Sequence, residues 1–209
     1  MSLGITPQQQ EALRLLGPAL PDTAYLAGGV AIALTFLHRT SRDLDFFVSE
    51  DFDPEQLAER LQGMLPAGSF ATTSTAPGTL YLELAGVPSS VIVYRYPLLV
   101  PPKLAPDLGT RIASLDDLTC MKLSAIAARG AARDFWDLHT LLAGGAAGGS
   151  LETALECFRK KFASDDIGHV VRSLAYFGDA EIEPLPSQLG AARWGAIKAW
   201  FAREVASLE

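Results

Sequence analysis

The sequence predicts an α+β protein: a mixed β-sheet flanked by helices over residues 1–106, then a helical bundle over residues 107–209. Three observations carry this expectation. Up to about residue 97, short β-like runs alternate with helical patterns. From "ASLDDL" to the end, apolar residues recur only at helical spacing. Between the two lies the Pro-rich stretch "PLLVPPKLAP", residues 97–106, a composition that suits a boundary.

The elements follow in order. "TPQQQEALRLL" reads as a first helix, with Thr6 as N-cap and Pro7 at the first helical position. "AYLAGG" is a short strand ending in a glycine pair, and "GVAIALTFLH" a buried helix. "DLDFFV" is the next strand. "DPEQLAERLQGML" is an amphipathic helix capped by Asp53, with Leu57, Leu61, Met64 and Leu65 on one side. "SFATTST", "TLYLELAGV" and "SSVIVYRYP" read as three further strands, the first two joined through the turn signal "APG". In the second half, helices are expected from Ser114 to about Arg129, over "AARDFWDLHTLLA", and at roughly 151–163, 166–177 and 187–208.

Composition narrows the function classes. With 49% hydrophobic and 20% charged residues, the chain is that of a folded protein. The net charge of −7 excludes a surface built for non-specific nucleic-acid binding. Residues 1–110 carry 6 Lys and Arg against 11 Asp and Glu, and residues 111–209 carry 11 against 13, so a local basic patch fits only the second half. Arg159, Lys160 and Lys161 are the candidate run. Cys120 and Cys157, with no CxxC, read as reduced core thiols. The first residues lack the basic start and apolar run of a signal peptide, and "LAGGVAIALTFL" is too short to span a bilayer, so a cytoplasmic protein with no membrane partner is expected.

The chemistry concentrates in "TSRDLDFFVSE". Alternation along a strand puts Asp43 and Asp45 on one face and Leu44 and Phe46 on the other. Two adjacent carboxylates repel unless a positive charge lies between them. A lone DxD is more often a solvated strand edge than a metal site, and a lone Gly-Gly is more often a turn. Their order changes that balance. Gly28-Gly29 ends one strand and opens a helix, and the acidic pair follows about fourteen residues later. Backbone N–H groups at a glycine turn cradle phosphates, and two carboxylates on one face suit Mg²⁺ shared with those phosphates.

At these residues "YLAGGVAIALTFLHRTSRDLDFFV" resembles the signature of the DNA polymerase β-type nucleotidyltransferase superfamily. Downstream, "ASLDDLTCMKLSAIAARGAARDFWDLHTLL" is similar to the closing motifs of the AbiEii/AbiGii toxin-like nucleotidyltransferases. The resemblance spans about residues 23–143. It implies a nucleotidyltransferase-type N-terminal domain that moves an NMP group from an NTP to an acceptor with Mg²⁺. RNA of the tRNA kind is the implied acceptor and an antitoxin protein the implied partner. It assigns Gly28 and Gly29 to the phosphate-binding turn and Asp43 and Asp45 to the metal. Lys122 falls to the nucleotide's phosphates, and Arg133, Asp134 and Asp137 to the RDxxD motif near the nucleotide or acceptor. Asp43, Asp45, Lys122 and Asp137 form the implied catalytic set.

Arg42, at the strand start, is a further candidate phosphate contact beside a plain loop role. The RDxxD trio reads equally as a surface salt-bridge cluster. Members of the superfamily usually carry a third carboxylate on a later strand. Here "SSVIVYRYP" offers Val91, Val93 or Tyr94 and no acid, leaving Glu83 on the neighbouring segment as the substitute. The alternatives are a non-catalytic nucleotide-binding or protein-interaction module, and a transferase acting on cationic, aminoglycoside-like small molecules.

Overall fold

The computed structural model describes residues 4–208. The chain divides into two compact units: one holds the residues through Tyr96 together with Val100–Ser114, the other Pro97–Leu99 together with the residues from Leu115 onward.

The first unit is the mixed sheet with its helices. In chain order it contains α1 (Pro7–Leu16), β1 (Tyr25–Ala27), α2 (Gly28–Phe36), β2 (Leu44–Val48), α3 (Pro54–Met64), β3 (Phe70–Ala76), β4 (Thr79–Leu84), β5 (Val87–Val93), β6 (Lys103–Ala105) and β7 (Thr110–Ile112). The strands order as β3-β4-β5-β2-β1-β7-β6. The β2–β5 and β1–β7 pairs are parallel and the other neighbours antiparallel. Leu44, Phe46 and Val48 on β2, Leu80, Leu82 and Leu84 on β4, and Val91 on β5 form the buried face of the sheet. Asp45 and Phe47 alternate onto the other, half-buried face.

Local chemistry accounts for the element ends. Thr6 and Gln9 cap α1 reciprocally, side chain to backbone in both directions. Asp53 caps α3 by accepting from the Gln56 N–H, with Pro54 in the first turn. The apolar α2 stops where Leu37 turns left-handed at φ 52°. No sequence signal marks that stop, because a left-handed residue is normally glycine or asparagine. The β6–β7 hairpin likewise lies inside and just beyond the stretch read as a Pro-rich boundary. Strands of three residues are too short to show an alternation.

The second unit is helical: α4 (Leu115–Arg129), α5 (Ala132–Ala143), α6 (Leu151–Phe162), α7 (Gly168–Leu174) and α8 (Ala191–Ala206). Phe135 lies at its centre, 5.3 Å from the rings of Phe177 and Phe201 and 5.9 Å from Trp194. Cys120 is buried there, and burial pushes its thiol up to about 12, which keeps it protonated and inert. No helix among the described residues is long and apolar enough to cross a membrane.

Lys161 departs from its sequence reading as part of a basic patch. Its side chain is fully buried, donating to Asp117 Oδ1 at 2.7 Å and to the Pro97 carbonyl at 2.7 Å. The same Asp117 oxygen accepts from the Leu99 N–H at 3.0 Å. On α6 the apolar face carries Leu151, Ala154, Leu155 and Phe158, and position 161 continues that face three residues beyond Phe158. The lysine therefore points inward and ties α4, α6 and the 97–99 segment together. Arg159 and Lys160 remain exposed. Removing one member of a buried pair strands the other charge, so Lys161→Met should cost about 3–5 kcal/mol in urea unfolding. A change within 1 kcal/mol would show the pair to be dispensable.

Candidate active site

The turn between β1 and α2 meets the strand that carries the acidic pair. Antiparallel pairing sets Ala27 opposite Asp45, so Gly28 follows at the level of that carboxylate. Gly28 has φ +66°, and a Cβ there would collide with Asp45 Oδ2. Glycine is thus required twice over, by the left-handed backbone and by the approach of the carboxylate. At Gly29 a Cβ would sit 2.5 Å from Ser41 Oγ and 2.6 Å from Arg39 Nη2. The glycine turn lies between a carboxylate on one side and a hydroxyl and guanidinium on the other.

Arg39 was not singled out in the sequence. It is 8% exposed, and its Nη1 donates to the Thr40 carbonyl at 3.0 Å. The left-handed Leu37 reverses the chain after α2 and brings Arg39 back over the first residues of that helix. A charged residue straight after an apolar helix is the only trace of this in the sequence. Gln9 was also missed. Its side-chain Nε2 donates to the carbonyls of Ser41 at 2.7 Å and Arg42 at 3.1 Å, anchoring the segment that enters β2. Arg42 and Asp43 are exposed just before the strand, and Asp45 is half-buried within it.

On β5, Ser90 stands opposite Asp45 in the parallel register, and its Oγ donates to Asp45 Oδ1 at 3.0 Å. Glu83 does not approach. It is exposed on β4 opposite Pro88, with β5 between it and β2. Two strand spacings are about 9.5 Å, too far for one ion to bridge. Among the described residues no group of three or more His, Cys, Asp or Glu could hold a metal ion. The donor set present is the Asp43–Asp45 pair beside a glycine turn that any Cβ would fill. Two hard carboxylate ligands, with Asp45 set against the glycine turn, fit a divalent cation that takes its other ligands from phosphate and water.

The remaining candidates lie in the helical unit. Asp134 and Asp137 are fully buried on α5, and Lys122 of α4 reaches both, at 2.9 Å and 2.7 Å. Arg129, the last residue of α4, grips Asp134 with two bonds, Nε to Oδ2 at 2.8 Å and Nη2 to Oδ1 at 3.0 Å. The two cations of α4 project together, as their spacing of seven allows. Burial alone would raise the Asp134 carboxyl, but Lys122 and Arg129 outweigh it and hold it below its ordinary value. Arg133 is exposed on α5, and the ion pairs of its two neighbours run to α4 instead. Asp134, Asp137 and Lys122 are buried, and the exposed Arg129 closes the cluster from its solvent side.

A model of the family described as "Nucleotidyl transferase AbiEii toxin, Type IV TA system" matches residues 14–207. An uncharacterized protein of Aquifex aeolicus, aq_aa25, is 33% identical over 207 residues, covering 95% of this chain and 94% of its own. Two solved structures share the fold. The nucleotidyltransferase toxin MenT4 of Mycobacterium tuberculosis has a TM-score of 0.63 at 16% identity, covering 96% of this chain and 82% of its own. JHP933 of Helicobacter pylori has a TM-score of 0.53 at 20% identity, covering 98% and 96%.

Two consequences can be measured. Gly28→Ala should cost more than the roughly 1–2 kcal/mol of a left-handed backbone, with Asp45→Ala in the same chain recovering the excess. Simple additivity of the two changes in urea unfolding would deny the collision. Asp134, with a depressed folded pKa, contributes stability that is full above its ordinary value of 3.8 and is lost as pH falls through the folded value. Asp134→Asn should therefore cost about 3 kcal/mol at neutral pH, with the gap to wild type closing only below about pH 4. A gap unchanged at pH 3 would mean that the charge of Asp134 is not what stabilises.

Proposed function

The chain belongs to the AbiEii nucleotidyl transferase toxin family of type IV toxin–antitoxin systems and is a nucleotidyltransferase, and we propose that it transfers an NMP group from an NTP to RNA of the tRNA kind. A small antitoxin protein is its partner in this reading, and the cytoplasm its compartment. The observation that carries the proposal is the Gly28 turn pressed against Asp45, with Asp43 exposed two residues earlier, just before the strand.

The acceptor hydroxyl oxygen bonds to the α-phosphorus of the NTP. The bond from that phosphorus to the β-bridging oxygen breaks, pyrophosphate leaves, and the hydroxyl proton passes to water. Asp43 and Asp45 would hold the cation, Mg²⁺ in this proposal. A divalent cation bound there activates the attacking oxygen and neutralises charge on the leaving pyrophosphate. The N–H groups of Gly28 and Gly29 at the start of α2 bind phosphate oxygens without a side chain in the way. Arg39 adds positive charge against Gly29, and the exposed Arg42 is the further phosphate contact of this reading. For Lys122 and Asp137, buried against each other in the helical unit, the family resemblance implies phosphate and acceptor roles, with Arg133 and Asp134 in the same motif. Asp134 acts there as a positioning residue, because it and Asp137 hold the Lys122 ammonium between them. On α6 the RNA contact rests on Arg159 and Lys160, since Lys161 is buried.

A second reading, nucleotide binding without transfer, is favoured by the two-carboxylate donor set. Labelling of total RNA with each α-labelled NTP and Mg²⁺ separates the two. Wild type should label one RNA class, and Asp45→Ala should lower the rate at least about 100-fold. NTP binding without label on RNA or on cationic small molecules would select the second reading. Label that survives Asp45→Ala would remove the strand-face site from the chemistry.

A further inference from the structure

Asp45 is restrained at both of its oxygens. Oδ2 is the atom that a Cβ on Gly28 would strike, so it faces the glycine turn. Oδ1 accepts from Ser90 Oγ at 3.0 Å across the parallel β2–β5 pair. Ser90 is 5% exposed, although it lies on the half-buried face of the sheet with Pro88 and Ile92 as its same-face neighbours on β5. A buried hydroxyl needs a partner, and its Oγ has the carboxylate. Further along the same row, opposite Ser90 on β4, stands Tyr81. The row across β2, β5 and β4 at this level therefore reads carboxylate, hydroxyl, phenol.

We propose that Ser90 is a positioning residue for the cation-binding carboxylate: it occupies Oδ1 of Asp45 and so presents Oδ2 to the glycine turn, where nucleotide phosphates and a divalent cation meet. This rests on the nucleotidyl-transfer reading of the site. Two alternatives at position 90 make opposite errors. Alanine leaves Oδ1 without its donor and frees the carboxylate to rotate. Aspartate sets a second negative charge in register with Asp45, which repels when no cation is bound and adds a ligand when one is. Serine is the small residue that orients Asp45 without adding charge, and it leaves Asp43 and Asp45 as the carboxylates of the proposed cation site.

The test is Mn²⁺ binding to the full chain, followed by titration calorimetry and by electron paramagnetic resonance of free Mn²⁺, with folding monitored by urea unfolding. Asp45→Asn serves as the reference for a lost ligand. Ser90→Ala should weaken Mn²⁺ binding roughly tenfold, the usual effect of removing the hydrogen-bond partner of a ligand. Ser90→Thr, which keeps the hydroxyl, should restore it. Ser90→Asp should bind Mn²⁺ more tightly than wild type while unfolding at lower urea in the absence of the cation. If Ser90→Ala unfolds too easily to titrate, the Thr and Asp variants carry the test, wild-type affinity in the first and tighter binding in the second being expected and weaker binding in both overturning the role. Wild-type affinity in Ser90→Ala, alongside a loss in Asp45→Asn, would overturn the role of Ser90 and leave the transfer reading standing. Absence of Mn²⁺ binding in wild type with NTP present would overturn both, and equal affinities in wild type and Asp45→Asn would move the cation elsewhere.

Discussion

The approach of Gly28 to Asp45 is the constraint on which the rest of the N-terminal unit depends. It requires β1 and β2 to be antiparallel neighbours in one register, with Ala27 opposite Asp45. It requires α2 to begin at once after β1, since the glycine that accepts the carboxylate also opens the helix. It requires the chain leaving α2 to turn back sharply, which Leu37 does in the left-handed region and which sets Arg39 and Ser41 against Gly29. Gln9, from the first helix, then holds the Ser41 and Arg42 carbonyls from the other side. A one-residue slip of β2 would flip Asp45 into the apolar face, so register and chemistry are set by the same pairing.

The helical unit handles charge differently. It buries Asp117 with Lys161, and Asp134 and Asp137 with Lys122, in a core whose other members are mainly aliphatic and aromatic. Such pairs add little to stability compared with apolar residues of the same size, because desolvation offsets most of their attraction. Their effect is on which arrangement is chosen. Lys161 can be satisfied only where Asp117 and the Pro97 carbonyl converge, and Lys122 only between two carboxylates of α5. Each pairing therefore fixes helix register more narrowly than apolar contacts alone.

Asp45 on β2 poses a chemical question about the neighbouring strand. The register answers it with Ser90, a neutral donor in the position adjacent to Asp45. The sequence reading looked to Val91, Val93 or Tyr94, the first two of which share the buried face with Leu44 and Phe46 through the parallel pairing, and to Glu83, one strand too far away. The misplacement has a plain cause. Which residue of a strand lies beside a given neighbour depends on register, which is a property of two strands together.

Residues close in sequence carried most of what was legible beforehand. The α+β order, the two helix caps at Thr6 and Asp53, the glycine turn before the DxD strand and the family resemblance all follow from local spacing, period and residue type. The tertiary structure decided what depends on distant partners. It set Ser90 beside Asp45 across 45 residues, and Lys161 on Asp117 across 44. It returned Arg39 to the glycine turn and turned Arg133 outward while burying its two acidic neighbours. Propensity and periodicity act over a few residues and so can be read along a chain. Ion pairs and hydrogen bonds between remote residues exist only after the elements have packed, and their geometry is decided there.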